Sequence, residues 1–206
     1  DLCGIVNAKS GLCGEDCAFC AQSVKFSTKA ARYPLLDPEM IVGKAKEAKD
    51  RGAREFCIVT SGRRLTDREF KQLLEIVSAV RNAVTIQIDV SVGFLSFPQA
   101  RQLKKAGVTR VNHNVQTSSL FYSQIVSTHS YGDRTATLNA IKKAGLEICS
   151  GVILGMGESR EDRVRAAFEI KRFEPECVPI NLLDPRPGTP LEGQALMDPV
   201  EILKTI

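Results

Sequence analysis

Three cysteines stand within eight residues near the start of the sequence, in the run Cys13-Gly-Glu-Asp-Cys17-Ala-Phe-Cys20. Cysteine thiolates are ligands for iron–sulfur clusters and for zinc. A structural zinc site needs a fourth ligand at close spacing, and the two histidines, His113 and His129, are far away in sequence. Three thiolates on a four-iron cluster leave one iron free to bind a substrate or cofactor. The spacing therefore favours an iron–sulfur cluster with an open coordination site.

The composition limits the class of protein. The chain has 206 residues, 43% of them hydrophobic and 25% charged, an ordinary balance for one globular domain over residues 1–206. The apolar runs are too short to cross a bilayer, and no signal peptide is visible. The net charge of +4 is scattered rather than clustered, which argues against nucleic-acid binding. Seven cysteines, an odd number with three closely spaced, indicate metal binding in a reducing cytoplasm rather than a disulfide scaffold.

Short apolar strands alternate with longer amphipathic helices, and these elements must position the cysteine run. Strands are predicted at 2–7, 56–60, 84–92, 108–113, 146–154 and 178–183, and helices at 37–51, 66–81, 97–106, 134–144, 159–172 and from 201 onward. Strands that are hydrophobic on both faces indicate a parallel sheet covered by helices. An open doubly wound sheet and a TIM-type (β/α) barrel both fit these six βα units. The first strand lacks a following Gly-x-Gly-x-x-Gly, which argues against a dinucleotide fold.

The cysteine run and its flanks resemble a known family. Cys-x3-Cys-x2-Cys after the first strand of a βα barrel, with an aromatic residue (Phe19) before the last cysteine, is the signature of the radical S-adenosylmethionine (SAM) superfamily. Within it, the sequence is similar to the biotin synthases in five blocks, at 7–11, 21–23, 111–118, 149–158, and 178–181 with 187–191. The family barrel has two further βα units, which would follow Ile206. Because the sequence also begins at Asp1 without an initiator Met, we expect it to be part of a longer chain.

The resemblance implies a radical-generating centre in a TIM-type barrel. A 4Fe–4S cluster would be held by Cys13, Cys17 and Cys20. Its open iron would bind SAM, whose carboxylate would pair with Arg134, since a guanidinium suits a carboxylate. Phe19 belongs to the same cofactor site, and Ile153 would pack against the adenine. Gln116 stands where the family has an acidic residue that binds the ribose hydroxyls, and a neutral amide would accept those bonds without charge assistance.

The resemblance also implies a reaction, the insertion of sulfur into dethiobiotin to give biotin, with SAM as co-substrate. Asn114 would bridge the SAM ribose and the ureido ring of dethiobiotin, and Asn181 would contact the same ring. An amide suits a cyclic urea because it offers both a donor and an acceptor. The electrons would come from a flavodoxin- or ferredoxin-type reductant, and a homodimer is compatible with the family.

A second group of cysteines matches the sulfur donor of the family, an auxiliary iron–sulfur cluster. Cys57 and Cys149 match two of its ligands. The third is usually a cysteine on strand three, where this chain has Asp89, and the fourth is an arginine on strand eight.

Strand periodicity suggests a replacement for the missing ligand. Cys3 shares a face with Ile5 and is expected to point inward beside Cys57. We expect Cys3 to complete the auxiliary cluster and to change its type from 2Fe–2S to a variant. Cys177 shares a face with Asn181 and is also expected to point inward, although free cysteine is a common core residue.

Two other functions stay open. A sibling radical SAM enzyme, of hydrogenase-maturation or methylornithine type, would share the scaffold without needing Cys57 and Cys149. An iron–sulfur electron-transfer or zinc-binding module would leave Asn114, Arg134 and Asn181 unexplained.

Overall fold

Parallel strands in sequential order form the centre of the chain, which the computed structural model describes over residues 2–205. The five-stranded sheet contains β1 (Cys3–Lys9), β2 (Glu55–Thr60), β3 (Gln87–Ser91), β4 (Arg110–Asn112) and β5 (Glu147–Cys149), in that order. A parallel pair, β6 (Val152–Leu154) and β7 (Ile180–Leu182), continues it through bridges between Gln116 and Val152 and between Cys149 and Cys177. Over the described residues the strands form one open arc without the reversal of a doubly wound sheet. The order is that of the predicted (β/α) barrel.

Helices follow the strands and cover one face of the arc. They are α1 (Pro38–Asp50), α2 (Asp67–Ala83), α3 (Phe97–Ala106), α4 (Tyr122–Ile125), α5 (Tyr131–Lys143), α6 (Arg160–Lys171) and α7 (Pro199–Leu203). The run Thr66-Asp67-Arg68-Glu69, with which the helix predicted at 66–81 begins, has the sequence of a capping box. The structure contains that capping box: the Thr66 hydroxyl accepts from Glu69 N, and the Glu69 carboxylate accepts from Thr66 N. Across residues 2–205, no helix is long and apolar enough to span a membrane.

Two predicted elements differ from the structure, and one further element was not predicted. The strand predicted over 146–154 is wrong as a single element, because Gly151 separates β5 from β6 where the backbone crowds against Pro179. The helix predicted from Arg134 begins earlier, because the Ser130 hydroxyl caps it by accepting from Asp133 N. The short helix α4 was not predicted. The helix predicted from 201 onward corresponds to α7, and its predicted continuation to Ile206 lies outside the described residues.

The two faces of the arc differ in chemistry. The face toward the helices carries the buried apolar core, including Val6, Phe56, Ile58, Ile88, Val90, Val111 and Ile148. On the opposite face, paired residues of adjacent strands project together. One row across the sheet is Ile5, Cys57, Asp89, Arg110 and Glu147. The prediction that the strands are hydrophobic on both faces is therefore wrong for this second face, which we call the inner face.

Candidate active site

A cavity of about 310 Å³ opens at the carboxyl ends of the strands, where barrel enzymes place their chemistry. Residues from the strand ends, such as Ser91 and Asn112, contribute to its lining. The same cavity is lined by seven of the predicted site residues, Cys13, Cys17, Phe19, Cys20, Asn114, Gln116 and Arg134. The fold thus collects into one space residues that are up to 121 positions apart, counting from Cys13 to Arg134 (134 minus 13).

Three buried polar atoms in the cavity wall have no hydrogen-bond partner. They are Thr60 Oγ1, His113 Nε2 and Gln116 Oε1. Gln116 also has a positive φ of 75°, which is uncommon for a residue other than glycine. Buried polar atoms are almost always hydrogen-bonded, and strained backbone concentrates at functional sites. These features indicate that the cavity receives a polar ligand.

The cysteine loop is closed by its own backbone. Cys13 N donates to Gln22 O over 3.1 Å, Val24 N donates to Cys13 O over 2.8 Å, and Cys20 N donates to Cys17 O over 2.9 Å. Burial raises the pKa of the Cys17 thiol to about 12, and the neighbouring Cys13 and Cys20 act in the same direction. The three thiols therefore lie within electrostatic reach of one another, and a bound metal would displace the thiol protons.

Two carboxylates inside the cysteine run tie it to the segment before α5. Asp16 accepts from Ser127 N over 3.0 Å and from Thr128 N over 3.1 Å. Glu15 accepts from Thr128 Oγ1 over 2.9 Å and contacts His129 Nδ1. Sequence reasoning missed this clamp, although an acidic pair between two candidate ligands was the available signal. The clamp fixes the loop against the opposite side of the cavity.

Contacts with neighbouring side chains fix the orientation of the Arg134 guanidinium. Its Nε donates to the Tyr122 hydroxyl over 2.8 Å, and its Nη2 lies 3.3 Å from His129 Nε2. Because His129 Nδ1 faces the Glu15 carboxylate, Nε2 is the acceptor in this contact. The guanidinium also lies 5.5 Å from the centre of the Phe94 ring. An arginine fixed in this way suits a carboxylate or phosphate ligand.

Of the three remaining predicted contact residues, Asn114 lines the cavity, whereas Ile153 and Asn181 do not. The Asn114 carboxamide oxygen accepts from Gly151 N over 3.0 Å, which presents its NH2 group as the donor to a ligand. Ile153 packs against the apolar cluster around Cys17. Asn181 is exposed on β7, donates to Val152 O over 3.3 Å, and does not line the cavity.

An ion cluster lies on the inner face below the cavity. Arg110 contacts Glu55 Oε2 at 3.0 Å, Asp89 Oδ2 at 3.5 Å and Glu147 Oε2 at 2.9 Å. Burial raises the pKa of Asp89 to about 6, although Gln87 and Arg110 act to lower it. Asp89 thus occupies the strand-three position as the partner of an arginine. This cluster was not predicted, since its members come from four different strands.

Cysteines surround this ion cluster. Cys57 and Cys149 are buried, and Cys177 is the paired residue of Cys149. The Cys3 sulfur lies within 4.8 Å of ligand atoms of both Glu55 and Asp89. Register places Cys3 on the inner face, as strand periodicity predicts, because its partner Glu55 is two residues before Cys57. The inner face therefore holds the four cysteines that lie outside the loop.

Replacing His113 by asparagine is expected to flatten the pH dependence of stability. Burial, and secondarily the Arg134 charge, holds the pKa of His113 well below its ordinary value. The unfolded chain therefore takes up a proton at higher pH than the folded chain does. Stability is full above the unfolded pKa of about 6.5 and falls below it by about 1.4 kcal/mol per pH unit, until the folded pKa is reached.

Urea unfolding at about pH 7.5 and about pH 5.5 measures this loss. The wild type should lose more stability on acidification than His113→Asn does. His129 and Asp89 also titrate, but they are common to both proteins and cancel in the comparison. Equal losses in the two proteins would contradict the assignment of a neutral, buried His113.

Comparisons with known proteins agree with this geometry. The family model of the radical SAM superfamily matches residues 9–170. The biotin synthases of Heliobacterium modesticaldum and Clostridium tetani are 48% and 47% identical over 206 residues, which is 100% of this chain. The chain spans 63% of the length of each of these relatives.

Solved structures share the fold at low sequence identity. Methylornithine synthase has a TM-score of 0.83 at 19% identity, over 98% of this chain and 61% of that one. The FeFe-hydrogenase maturase HydG from Carboxydothermus hydrogenoformans has a TM-score of 0.83 at 19% identity, over 99% of this chain and 49% of that one. These likenesses confirm the predicted (β/α) barrel type of fold.

Proposed function

Because the chain belongs to the radical SAM superfamily, we propose that it is the core of a biotin synthase, which converts dethiobiotin to biotin. The observation that carries the proposal is a second set of thiols on the inner face, below the cavity that contains the cysteine loop. A radical enzyme that only rearranges its substrate needs the loop alone. An enzyme that also inserts sulfur needs a sulfur source within the barrel, and the buried Cys57 and Cys149 on the inner face are proposed to hold it.

The cysteine loop fits a 4Fe–4S cluster. Three thiols lie on one clamped loop and line the cavity. The cavity also contains polar atoms without a hydrogen-bond partner, to which a SAM molecule would hydrogen-bond. When bound, the cluster supplies the electron that cleaves SAM and so generates the radical that removes hydrogen from the substrate. A flavodoxin- or ferredoxin-type protein would deliver that electron.

The protein's own contribution is to hold SAM in one orientation. Arg134 binds the carboxylate with a guanidinium that Tyr122 and His129 already fix, so little side-chain entropy is lost on binding. Gln116 accepts from the ribose hydroxyls through its unpartnered Oε1. Ile153 and Phe19, which belong to the apolar cluster around Cys17, provide the surface for the adenine.

Dethiobiotin would lie between SAM and the inner face. Asn114 donates from its NH2 group to the ureido oxygen, since its own oxygen is engaged by Gly151 N. Asn181 is the second ureido contact in this proposal; it pairs with Ile153, so both side chains project from the same face. Sulfur insertion at two unactivated carbons requires removal of two hydrogens, which the same site performs in succession.

The auxiliary cluster is proposed to bind to Cys57, Cys149 and Cys3. When bound, it supplies the sulfur atom that enters the product. Asp89 is engaged by Arg110, so Cys3 takes the place of the strand-three ligand. Burial raises the pKa of the Cys3, Cys57 and Cys149 thiols, and the Asp89 and Glu55 carboxylates raise the pKa of Cys3 and Cys57 further. The Arg110 charge acts in the opposite direction on all three thiols, but more weakly. A bound metal would displace the protons of these thiols.

A sibling radical SAM enzyme with another substrate is the second candidate, because methylornithine synthase and the hydrogenase maturase share the fold. Such an enzyme would have no use for cysteines on the inner face of β2 and β5. An anaerobic assay of the full-length protein with dethiobiotin, SAM and a reductant decides between them. Biotin or its mono-thiolated precursor is the expected product. Formation of 5′-deoxyadenosine without either thiolated product would overturn the substrate assignment.

Replacing Arg134 by glutamine is expected to weaken SAM binding by about 10- to 100-fold. A hydrogen bond to a charged group contributes about 1.5–3 kcal/mol, and each 1.4 kcal/mol is about tenfold in affinity. Equilibrium binding of SAM to the reconstituted protein measures the change. Arg101→Gln is the matched control, because Arg101 also lies over an aromatic ring, 5.8 Å from the centre of Phe97, but outside the cavity. Equal affinities of the two variants would contradict the role of Arg134.

A further inference from the structure

We propose that Cys177 is a further ligand of the auxiliary cluster, acting as a pair with Cys149. This inference rests on the proposed sulfur-donating function. It adds a protein sulfur from the segment that leads into β7 to those from β1, β2 and β5.

The backbone sets Cys149 and Cys177 side by side. They are directly paired in a parallel bridge. Cys177 N donates to Ile148 O over 3.2 Å, and Ser150 N donates to Cys177 O over 3.0 Å, so the pairing is fixed on both sides. Paired residues of parallel strands project to the same face, and Cys177 acts to raise the pKa of the Cys149 thiol. Cys177 therefore faces the same space as Cys149.

The surroundings of the pair are those of a ligand site. A buried free cysteine usually behaves as a small apolar core residue. Neither Cys149 nor Cys177 belongs to the two apolar clusters found among residues 2–205. The charges of Arg110 and of Cys57 instead act on Cys149, which places the pair within electrostatic reach of the inner-face ion cluster.

Coordination chemistry favours a fourth sulfur here. Iron–sulfur clusters are commonly held by four cysteine thiolates. The strand-three position offers no thiol, and the Asp89 carboxylate is paired with Arg110. Cys3, Cys57, Cys149 and Cys177 together offer four protein sulfurs on the inner face. Such a set holds a cluster without a ligand from Asp89.

The test is anaerobic reconstitution of the full-length protein, with iron and acid-labile sulfide counted for each variant. Cys177→Ala is expected to lose the iron and sulfide of the auxiliary cluster and to keep about four irons in the loop cluster. Val178→Ala is the matched control, because Val178 is the next residue and is 47% exposed. It should retain both clusters. Wild-type iron and sulfide in Cys177→Ala, with an unchanged electron paramagnetic resonance spectrum, would overturn the inference.

Alkylation of the wild-type protein tests the same point without a substitution. In cluster-loaded protein, Cys177 is expected to be protected from iodoacetamide to the extent that the auxiliary cluster is present, as read by mass spectrometry. Equal labelling with and without that cluster, or a disulfide between Cys149 and Cys177 in loaded protein, would overturn the inference alone. A wild-type protein that binds only the loop cluster would overturn the proposed sulfur-donating function and this inference together.

Discussion

Cys17→Ala is expected to abolish the reductive cleavage of SAM. Cys17 is the middle ligand of the loop and is 8% exposed. Its neighbours on both sides are fixed, since Asp16 binds Thr128 N and Ala18 N donates to Ile125 O over 2.9 Å. No other thiol can move into this position, and two thiolates do not hold a four-iron cluster. The rate of SAM cleavage should fall by more than about 100-fold. A loss of about 100-fold is the upper range for replacing a residue that only hydrogen-bonds to a metal ligand.

Production of 5′-deoxyadenosine under anaerobic, reducing conditions measures this effect, together with the iron content of the loop cluster. Val24→Ala is the control, because Val24 is an exposed residue where the same loop ends and contributes only its backbone to the loop. The control should retain iron and cleavage. A Cys17→Ala protein with full iron and near-normal cleavage would contradict the assignment of the loop as the cluster site.

Gly151→Ala is expected to cause the largest loss of stability. A Cβ at this position would lie 1.8 Å from the Pro179 carbonyl oxygen and 2.7 Å from its carbon. These are backbone atoms, so the clash is relieved only if the neighbouring strand moves away. Gly151 also donates to Asn114 and accepts from Gln116 N over 3.1 Å, so the movement would disturb the cavity. We expect a loss of at least about 3 kcal/mol, the upper range for overpacking.

Denaturant unfolding of the wild type and of Gly151→Ala measures the change in the free energy of unfolding. Gly43→Ala is a matched control with the opposite expected sign. Gly43 lies inside α1, and a Cβ there would meet nothing within 4 Å. Alanine should stabilise the helix by about 0.5–1 kcal/mol relative to glycine. A Gly151→Ala protein as stable as the wild type would show that the backbone at Gly151 does not approach Pro179 as closely as described.

The sequence allowed prediction of the features that depend on local pattern. The cysteine spacing, the capping box at Thr66 and the alternation of strands and helices are all short-range signals. The likeness to a known family supplied Arg134 and Asn114, and the structure places both in the cavity with the cysteine loop. Inward orientation of Cys3 followed from a period of two residues along β1.

Features that depend on register were out of reach. The clamp joins Glu15 to Thr128 across 113 positions, and no local pattern encodes such a contact. The pairing of Asp89 with Arg110 requires that β3 and β4 align in one particular register. The break at Gly151 depends on how closely a neighbouring segment passes. Each case depends on where a distant part of the chain lies, which composition and periodicity do not specify.

In the proposed enzyme, a sulfur donor on the inner face lies below the radical generator in the cavity. The most direct measurement is a single turnover of full-length protein reconstituted with heavy-isotope sulfide, then freed of excess sulfide and given dethiobiotin, SAM and a reductant. The expected product is biotin that carries the heavy sulfur, with 5′-deoxyadenosine as the co-product. Unlabelled biotin, or 5′-deoxyadenosine with no thiolated product, would contradict this proposal.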